Sequence, residues 1–150
     1  MTTTTDRALD PWPIVKRGAR FHPVATLQHL LNSRGHDLEV DASFGPLTEA
    51  AVRATQRDLD LDADGVVGPI TWPAIVVTVR RGDKGHAVRG AQGELDTRDG
   101  FDLVVDGVFG PLTERAVREF QRALSAFDVE VDGIVGPVTW QAMVSGMVSH

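Results

Sequence analysis

The fold is decided by the stretch Phe44-Gly45-Pro46-Leu47-Thr48-Glu49, because the same six residues recur as Phe109-Gly110-Pro111-Leu112-Thr113-Glu114. The residues before this stretch repeat as well, since Val40-Asp41 returns as Val105-Asp106. Self-similarity of this kind is typical of a duplicated structural unit. The chain is therefore best analysed as two copies of one sequence pattern.

The duplication extends over most of the chain, and downstream Asp64–Trp72 matches Asp132–Trp140. We expect two domains, over residues 14–77 and 79–146, after a flexible lead-in over residues 1–13. A unit of about 60 residues buries only about 60% of the surface of its unfolded chain. The two domains are therefore expected to pack together as a compact pair.

A shorter phrase occurs four times: an Asp, two residues, a larger apolar residue, and then Gly-Pro, an apolar residue and Thr. It begins at Asp41, Asp64, Asp106 and Asp132. We expect each Asp to form a turn through its side chain and each Pro to open a helix. The Thr hydroxyl is expected to help satisfy the free N–H groups of the first helical turn.

Hydrophobic periodicity predicts three helices in each domain, and so an all-α fold of two tandem three-helix bundles. The predicted ranges are 23–34, 46–59 and 69–76 in the first domain, and 86–98, 111–126 and 137–144 in the second. Leu47 is expected on the buried face of its helix. Pro73 lacks an N–H, so the third helix is expected either to begin near Thr71 or to have an irregular first turn. Gly90 and Gly93 each cost about 0.5–1 kcal/mol relative to Ala, which predicts a weak fourth helix.

Composition excludes several classes of function. The chain is 42% hydrophobic and 24% charged, which is typical of a folded globular protein. Its net charge of -6 argues against nucleic acid or an anionic membrane as the main partner. The absence of cysteine excludes a disulfide and a thiol nucleophile.

Apolar segments predict no membrane insertion, because no run approaches the roughly 18 residues that span a bilayer. The first residues lack the apolar core of a signal peptide. We therefore expect a cytoplasmic protein as encoded, or a cell-wall or extracellular one if a non-standard route exports it.

Three phrases, Val24–Gln28, Phe44–Val52 and Asp64–Trp72, together with their counterparts in the second copy, resemble the peptidoglycan-binding domain 1 family. The resemblance covers nearly everything after residue 13. It implies non-catalytic three-helix bundles of the kind usually attached to bacterial cell-wall hydrolases or transpeptidases. It also implies that the partner is peptidoglycan, or a cell-wall enzyme or other protein.

Metal and catalytic motifs are incomplete. Asp60, Asp62, Asp64 and Gly65 match positions one, three, five and six of a helix-loop-helix calcium loop. Position twelve is Thr71, where the calcium loop requires a bidentate Glu. The five histidines lack the spacing of a zinc metalloprotease, and no Ser stands in a nucleophile elbow. We expect no metal, no cofactor and no catalytic residue.

Candidate binding residues lie at the repeated turns, at the helix starts beside them and on the second helix of each domain. They are Asp41, Arg53, Arg57, Thr71, Trp72, Asp106, Arg118, Arg122, Thr139 and Trp140. Trp72 and Trp140 either flank a binding groove or fill the core, as a Trp in a short amphipathic helix often does.

The arginines form matching pairs, because Arg53 with Arg57 and Arg118 with Arg122 are four residues apart on predicted helices. A guanidinium can hold a peptide carboxylate through two hydrogen bonds. Alternatively these are ordinary surface residues, since Arg53 lies four residues after Glu49, the spacing of a helical ion pair.

The sequence therefore supports two hypotheses for function. The first is a non-catalytic protein that binds the stem peptide of peptidoglycan, because a chain with no Tyr, three Trp and six Phe offers few aromatic surfaces for sugars. The second is an intracellular adaptor that uses the same fold to dock a protein, for example in a larger secreted or phage-like assembly.

Overall fold

The computed structural model describes residues 8–99 and 103–147, apart from the side chains of residues 97–99. Within these ranges the regular structure is helical. The helices are α1 Val24–Ser33, α2 Pro46–Asp58, α3 Thr71–Ile75, α4 His86–Asp99, α5 Pro111–Ala123 and α6 Pro137–Val144, with a short 3-10 helix at Ser125–Phe127. The predicted all-α fold of two three-helix units is confirmed.

Two helices, α3 and α5, differ from their predicted extents by more than one residue at an end. α3 begins at Thr71, which is the first of the two alternatives that Pro73 indicated. α5 ends at Ala123, short of the predicted Ala126, because the chain tightens into the 3-10 helix and then turns at Asp128, whose φ is 61°. The two glycines of α4 do not shorten that helix.

Short antiparallel contacts close each domain by joining the segment before its first helix to the loop before its third. In the first domain the backbone N–H groups of Val15 and Val67 each donate to the other residue's carbonyl, at 2.9 and 2.8 Å. Val79 and Val135 make the same pair of bonds in the second domain, at 3.1 and 2.9 Å. The duplicated sequence thus produces a duplicated backbone arrangement.

Residues 8–13, which the sequence analysis assigned to the lead-in, lie against the folded body. The Trp12 ring stacks on that of Trp72, with centroids 6.3 Å apart. The indole N–H of Trp72 donates to the carbonyl of Pro13 at 2.8 Å, and that of Trp140 donates to Val77 at 2.7 Å. Pro13 therefore has the same structural role for the first domain that Val77 has for the second.

A buried glutamine joins each Asp turn to the helices on either side of it. The side-chain nitrogen of Gln121 lies 3.0 Å from Asp132 Oδ1, 3.0 Å from the Ile134 carbonyl and 3.1 Å from Thr139 Oγ1. Its side-chain oxygen accepts from the backbone N–H groups of Asp132 and Gly133. Equivalent hydrogen bonds are centred on Gln28, Gln56 and Gln92.

The expected capping role of the Thr hydroxyls is wrong, because the hydrogen-bond partner of each hydroxyl is a buried Gln amide and not a backbone N–H of the first helical turn. Each Thr hydroxyl instead lies against the buried Gln amide, as Thr139 does at 3.1 Å from Gln121. Buried polar groups need partners, and the amide N–H takes the hydroxyl oxygen that would otherwise accept from the helix backbone.

The two domains form the expected compact pair through α1 and α4. Gly90 of α4 allows the close approach, since a Cβ there would lie 3.3 Å from Cβ of His29 and 3.6 Å from the Trp140 ring. A buried polar contact accompanies it, because Thr26 Oγ1 donates to Glu94 Oε2 at 2.7 Å. The interface therefore combines close helix packing with a satisfied carboxylate.

The hydrogen bonds of each buried Gln should contribute to the free energy of unfolding. We expect Gln121→Ala to lower the free energy of unfolding by about 3 kcal/mol, because it leaves the Thr139 hydroxyl and two turn amides without partners. Urea denaturation measures the change. Gln141→Ala is the matched control, because Gln141 is only half-buried and its side-chain nitrogen donates to the Asp10 carbonyl at the surface. Equal losses in the two variants would contradict the assigned role.

The two glycines of α4 should respond differently to the same change. Gly93→Ala is expected to raise the free energy of unfolding by about 0.5–1 kcal/mol, because helix propensity improves and the new Cβ meets no atom within 4 Å. Gly90→Ala should gain less, since its Cβ presses on His29. Chemical denaturation of both variants side by side tests the order, and an equal gain would count against a close contact at Gly90.

Candidate binding site

Open grooves lie at the surface beside three of the Asp turns in the described part of the chain. They are the Asp41 groove of about 170 Å³, the Asp106 groove of about 330 Å³ and the Asp132 groove of about 330 Å³. Each is lined by the loop before the Asp, the turn itself and the Gly-Pro-aliphatic-Thr start of the next helix. The repeated phrase therefore builds a repeated groove.

One oxygen of each turn carboxylate is committed to the fold. Asp41 Oδ1 accepts from the side chain of Gln28 and from the backbone N–H of Ser43, both at 3.0 Å. These two hydrogen bonds hold the pKa of Asp41 below its ordinary value. Asp41 is nonetheless exposed, so an ionised carboxylate stands at the edge of its groove.

The same reasoning applies to Asp106 and Asp64. The backbone N–H of Val108, followed by the side chain of Gln92, lowers the pKa of Asp106. The backbone N–H of Val66 is the main cause of the lowered pKa of Asp64, and the Gln56 side chain also contributes. Hydrogen bonds to the ionised form explain each shift, so these turns keep negative charge at neutral pH.

An aliphatic side chain stands at the rim of every turn, at the position after Gly-Pro. These residues are Leu47, Ile70, Leu112 and Val138, and all four are exposed. The expectation that Leu47 faces the core is wrong, since 77% of it is exposed. The next residue, Thr48, is buried against Gln28, and successive helical residues point about 100° apart, so Leu47 faces outward.

The helix-start candidates are buried. Trp72 and Trp140 have 0% exposure, which corresponds to the core-filling alternative, and their indole N–H groups are bonded to backbone carbonyls. Thr71 and Thr139 are also buried, each against its Gln amide. Thr139 lines the Asp132 groove, whereas Thr71, Trp72 and Trp140 line none of the three grooves.

The arginine candidates divide into two kinds. Arg53 and Arg118 are half-buried, and each guanidinium lies over the loop before the next turn, where Arg118 donates to the Val131 carbonyl at 3.4 Å. Arg53 also pairs with Glu49 at 3.6 Å, as the helical spacing indicated. Arg57 and Arg122 are exposed on the same helices.

The ten candidate residues therefore do not converge on one site. They are distributed over the turns of both domains, where Asp41 and Asp106 sit at groove edges. The exposed aliphatic residues and the buried glutamines were not among the predicted site residues. The sequence signal for the aliphatic residues was the fourfold recurrence of an apolar residue between Pro and Thr.

Across residues 8–99 and 103–147, no three His, Cys, Asp or Glu side chains are grouped so as to hold a metal ion.

No helix in the described ranges has the length and apolarity required to span a bilayer.

Comparisons with solved structures find partial likenesses. A peptidoglycan-binding protein from Clostridioides difficile, solved with glutamine hydroxamate, is 33% identical over 42% of this chain and 40% of its own, with a TM-score of 0.41. The SleB N-terminal domain is 33% identical over 46% of this chain and 94% of its own, with a TM-score of 0.43. The Burkholderia AP3 phage endolysin is 26% identical over 73% of this chain and 38% of its own, with a TM-score of 0.42.

This chain therefore spans well under half the length of the Clostridioides difficile protein and of the endolysin. Comparison with curated proteins finds no match. The model of the family described as a putative peptidoglycan binding domain matches two segments, residues 22–75 and 84–143, which together make up most of the chain. The chain belongs to this peptidoglycan-binding family and carries two tandem copies of its domain.

Proposed function

We propose that this protein is a non-catalytic binder of peptidoglycan that contacts stem peptides at the Asp41, Asp106 and Asp132 grooves. The observation that carries the proposal is the recurrence of one groove chemistry. An Asp turn and an exposed aliphatic residue meet at the start of a helix in both domains. The family membership supports the cell wall as the place where this chemistry is used.

The groove chemistry suits a short peptide. A stem peptide presents amides, small apolar side chains and charged groups. Turn carboxylates such as Asp106 can accept from amide or ammonium groups, while Leu112 and Val108 at the same groove offer apolar contact. Several grooves on one chain also permit simultaneous contacts with a polymer, and linked contacts raise the overall affinity.

The non-catalytic part of the proposal is supported by how the groove residues are used. Asp41 and Asp106 are held by hydrogen bonds to the Gln amides and to the turn backbone, which lower the pKa of each. A general acid at neutral pH needs a raised pKa, so these carboxylates are suited to binding and not to proton donation.

A second candidate function is supported by the exposed aliphatic residues. Ile70 and Val138 are exposed at turns in different domains, and exposed apolar side chains are common where proteins dock. An adaptor that binds a cell-wall enzyme or another protein, for example within a phage-like assembly, would use this surface. Co-sedimentation with purified sacculi distinguishes it from wall binding.

The exposed arginines should contribute to sacculus binding. We expect the double variant Arg57→Ala/Arg122→Ala to bind about tenfold more weakly, since a lost charge-assisted hydrogen bond is worth about 1.4 kcal/mol or more. Co-sedimentation with purified sacculi measures the affinity. The double variant Arg34→Ala/Arg115→Ala removes the same charge from other exposed positions and should bind normally. Equal binding by all variants would show that Arg57 and Arg122 are ordinary surface residues with no role in sacculus binding.

The groove aliphatics should matter in the same assay. We expect Leu112→Ser/Val138→Ser to weaken pelleting with sacculi severalfold, because each lost apolar contact is worth about 1 kcal/mol. Ile14→Ser is the control, because Ile14 is equally exposed but lies outside the three grooves.

Sacculi stripped of stem peptides by an amidase complete the test. Loss of most binding to them supports stem-peptide recognition. If the wild-type chain does not pellet with intact sacculi above a control protein, the wall proposal is wrong and the adaptor is favoured.

A further inference from the structure

The two domains enclose a cleft that neither domain possesses alone. It has a volume of about 180 Å³ and lies between α1, α4 and the Asp41 turn. Its walls include Phe21, His22, Thr26, His29, Gly90 and Glu94. It is therefore separate from the three turn grooves and depends on the packing of one copy against the other.

Two residues at this cleft adopt a backbone conformation that side chains disfavour. Phe21 has a φ of 67° and Ala42 a φ of 60°, and both line the cleft. Left-handed backbone brings a Cβ too close to the following carbonyl, so it is unusual for a residue as bulky as Phe. Strain of this kind persists where the surroundings impose it and is common at functional sites.

The second domain shows that the strain is not required by the fold. Gly85 and Gly107 occupy the positions equivalent to Phe21 and Ala42, with φ of 124° and 78°. The same backbone hydrogen bond joins the two positions in both domains. The Phe21 N–H donates to the Ala42 carbonyl at 2.8 Å, and the Gly85 N–H donates to the Gly107 carbonyl at 2.9 Å. The first domain thus carries side chains where glycine would suffice.

Burial does not compensate for the strain at Phe21, because 75% of the residue is exposed. Its ring makes a contact with the Arg20 guanidinium, which lies 5.8 Å from the ring centroid. Among the described residues, no other aromatic side chain is exposed to this degree. The ring therefore provides an aromatic surface at the mouth of the cleft.

The cleft also contains polar groups that suit a neutral ligand. Glu94 is only 3% exposed and is bonded to Thr26 and to His22. His29 is a wall residue whose Nδ1 has no hydrogen-bond partner among the described residues. Burial, with smaller effects of His86 and Arg89, lowers the pKa of His29 to about 4, so its ring is neutral at pH 7. A neutral imidazole can either donate or accept, as hydroxyl and acetamido groups can.

We propose that the cleft between the domains binds an N-acetylated sugar unit of the glycan strand, with the sugar's apolar face against Phe21. This inference rests on the proposed peptidoglycan function and adds a glycan contact to the stem-peptide contacts of the grooves. Aromatic rings pack against the C–H face of a sugar. In the proposed complex the side chains of Glu94, Thr26 and His29 lie beside the polar edge of the sugar.

The test uses chitotetraose, a soluble oligomer of N-acetylglucosamine, titrated into the full chain by calorimetry and by backbone amide NMR. We expect saturable binding with shifts at Phe21, Ala42 and Gly90. Phe21→Gly should weaken this binding at least tenfold while raising Tm, because it removes the ring and the strain together. Phe21→Ala should weaken binding without a comparable rise in Tm. Ile14→Gly, another exposed apolar residue but remote from the cleft lining, should bind as the wild type.

Two results would overturn the proposal: no binding of chitotetraose by the wild-type chain, or equal binding by wild type and Phe21→Gly. Both are separable from failure of the wall function. If the wild type pellets with sacculi but chitotetraose does not bind, the cleft proposal fails and wall binding stands. If the wild type does not pellet, the wall function itself fails.

Discussion

The interaction on which the rest of the structure depends is the buried glutamine amide at each Asp turn. A planar amide offers two donor hydrogens and one acceptor oxygen, and here they meet a carboxylate, a backbone carbonyl, a Thr hydroxyl and backbone N–H groups. Glu would present two acceptors to the carboxylate, and a hydrophobic residue would remove the amide partner of the backbone carbonyl, the Thr hydroxyl and the turn N–H groups. Each Gln therefore fixes the position of a turn between two helices.

This constraint also determines what the surface can offer. Because the amide takes the Thr hydroxyl and one carboxylate oxygen, the residue after Gly-Pro turns outward and becomes the aliphatic rim of the groove. The grooves are therefore by-products of a structural arrangement, and their repetition follows from the repetition of the Gln. The groups beneath this surface are held by hydrogen bonds to the Gln amide, and a preorganised surface loses less entropy on binding.

Much of the fold could be predicted from local sequence, because a repeat, a Gly-Pro helix start and a Pro at position 73 all act within a few residues. The Gln networks could not, since Gln28 and Asp41 are brought together only by the path of the chain between them. The outward direction of Leu47 was hidden for the same reason, because it depends on what Thr48 contacts. Of the site, the Asp turns and arginines were identified, whereas the cleft requires both copies and has no signature in either one.

The differences between the copies are best understood through the geometry of a tandem pair. The two bundles meet through α1 and α4, and this contact places the segment before α1, which contains Phe21, beside the second domain. The equivalent approach to α4 does not line this cleft. Phe21 and Gly85 therefore have identical backbone bonds but different surroundings. Selection for stability alone would favour glycine at both, since the Phe21 side chain does not reach the core and a positive φ is unstrained only for glycine. An exposed, strained Phe on the side that faces the cleft is what selection for a contact, at some cost in stability, would leave.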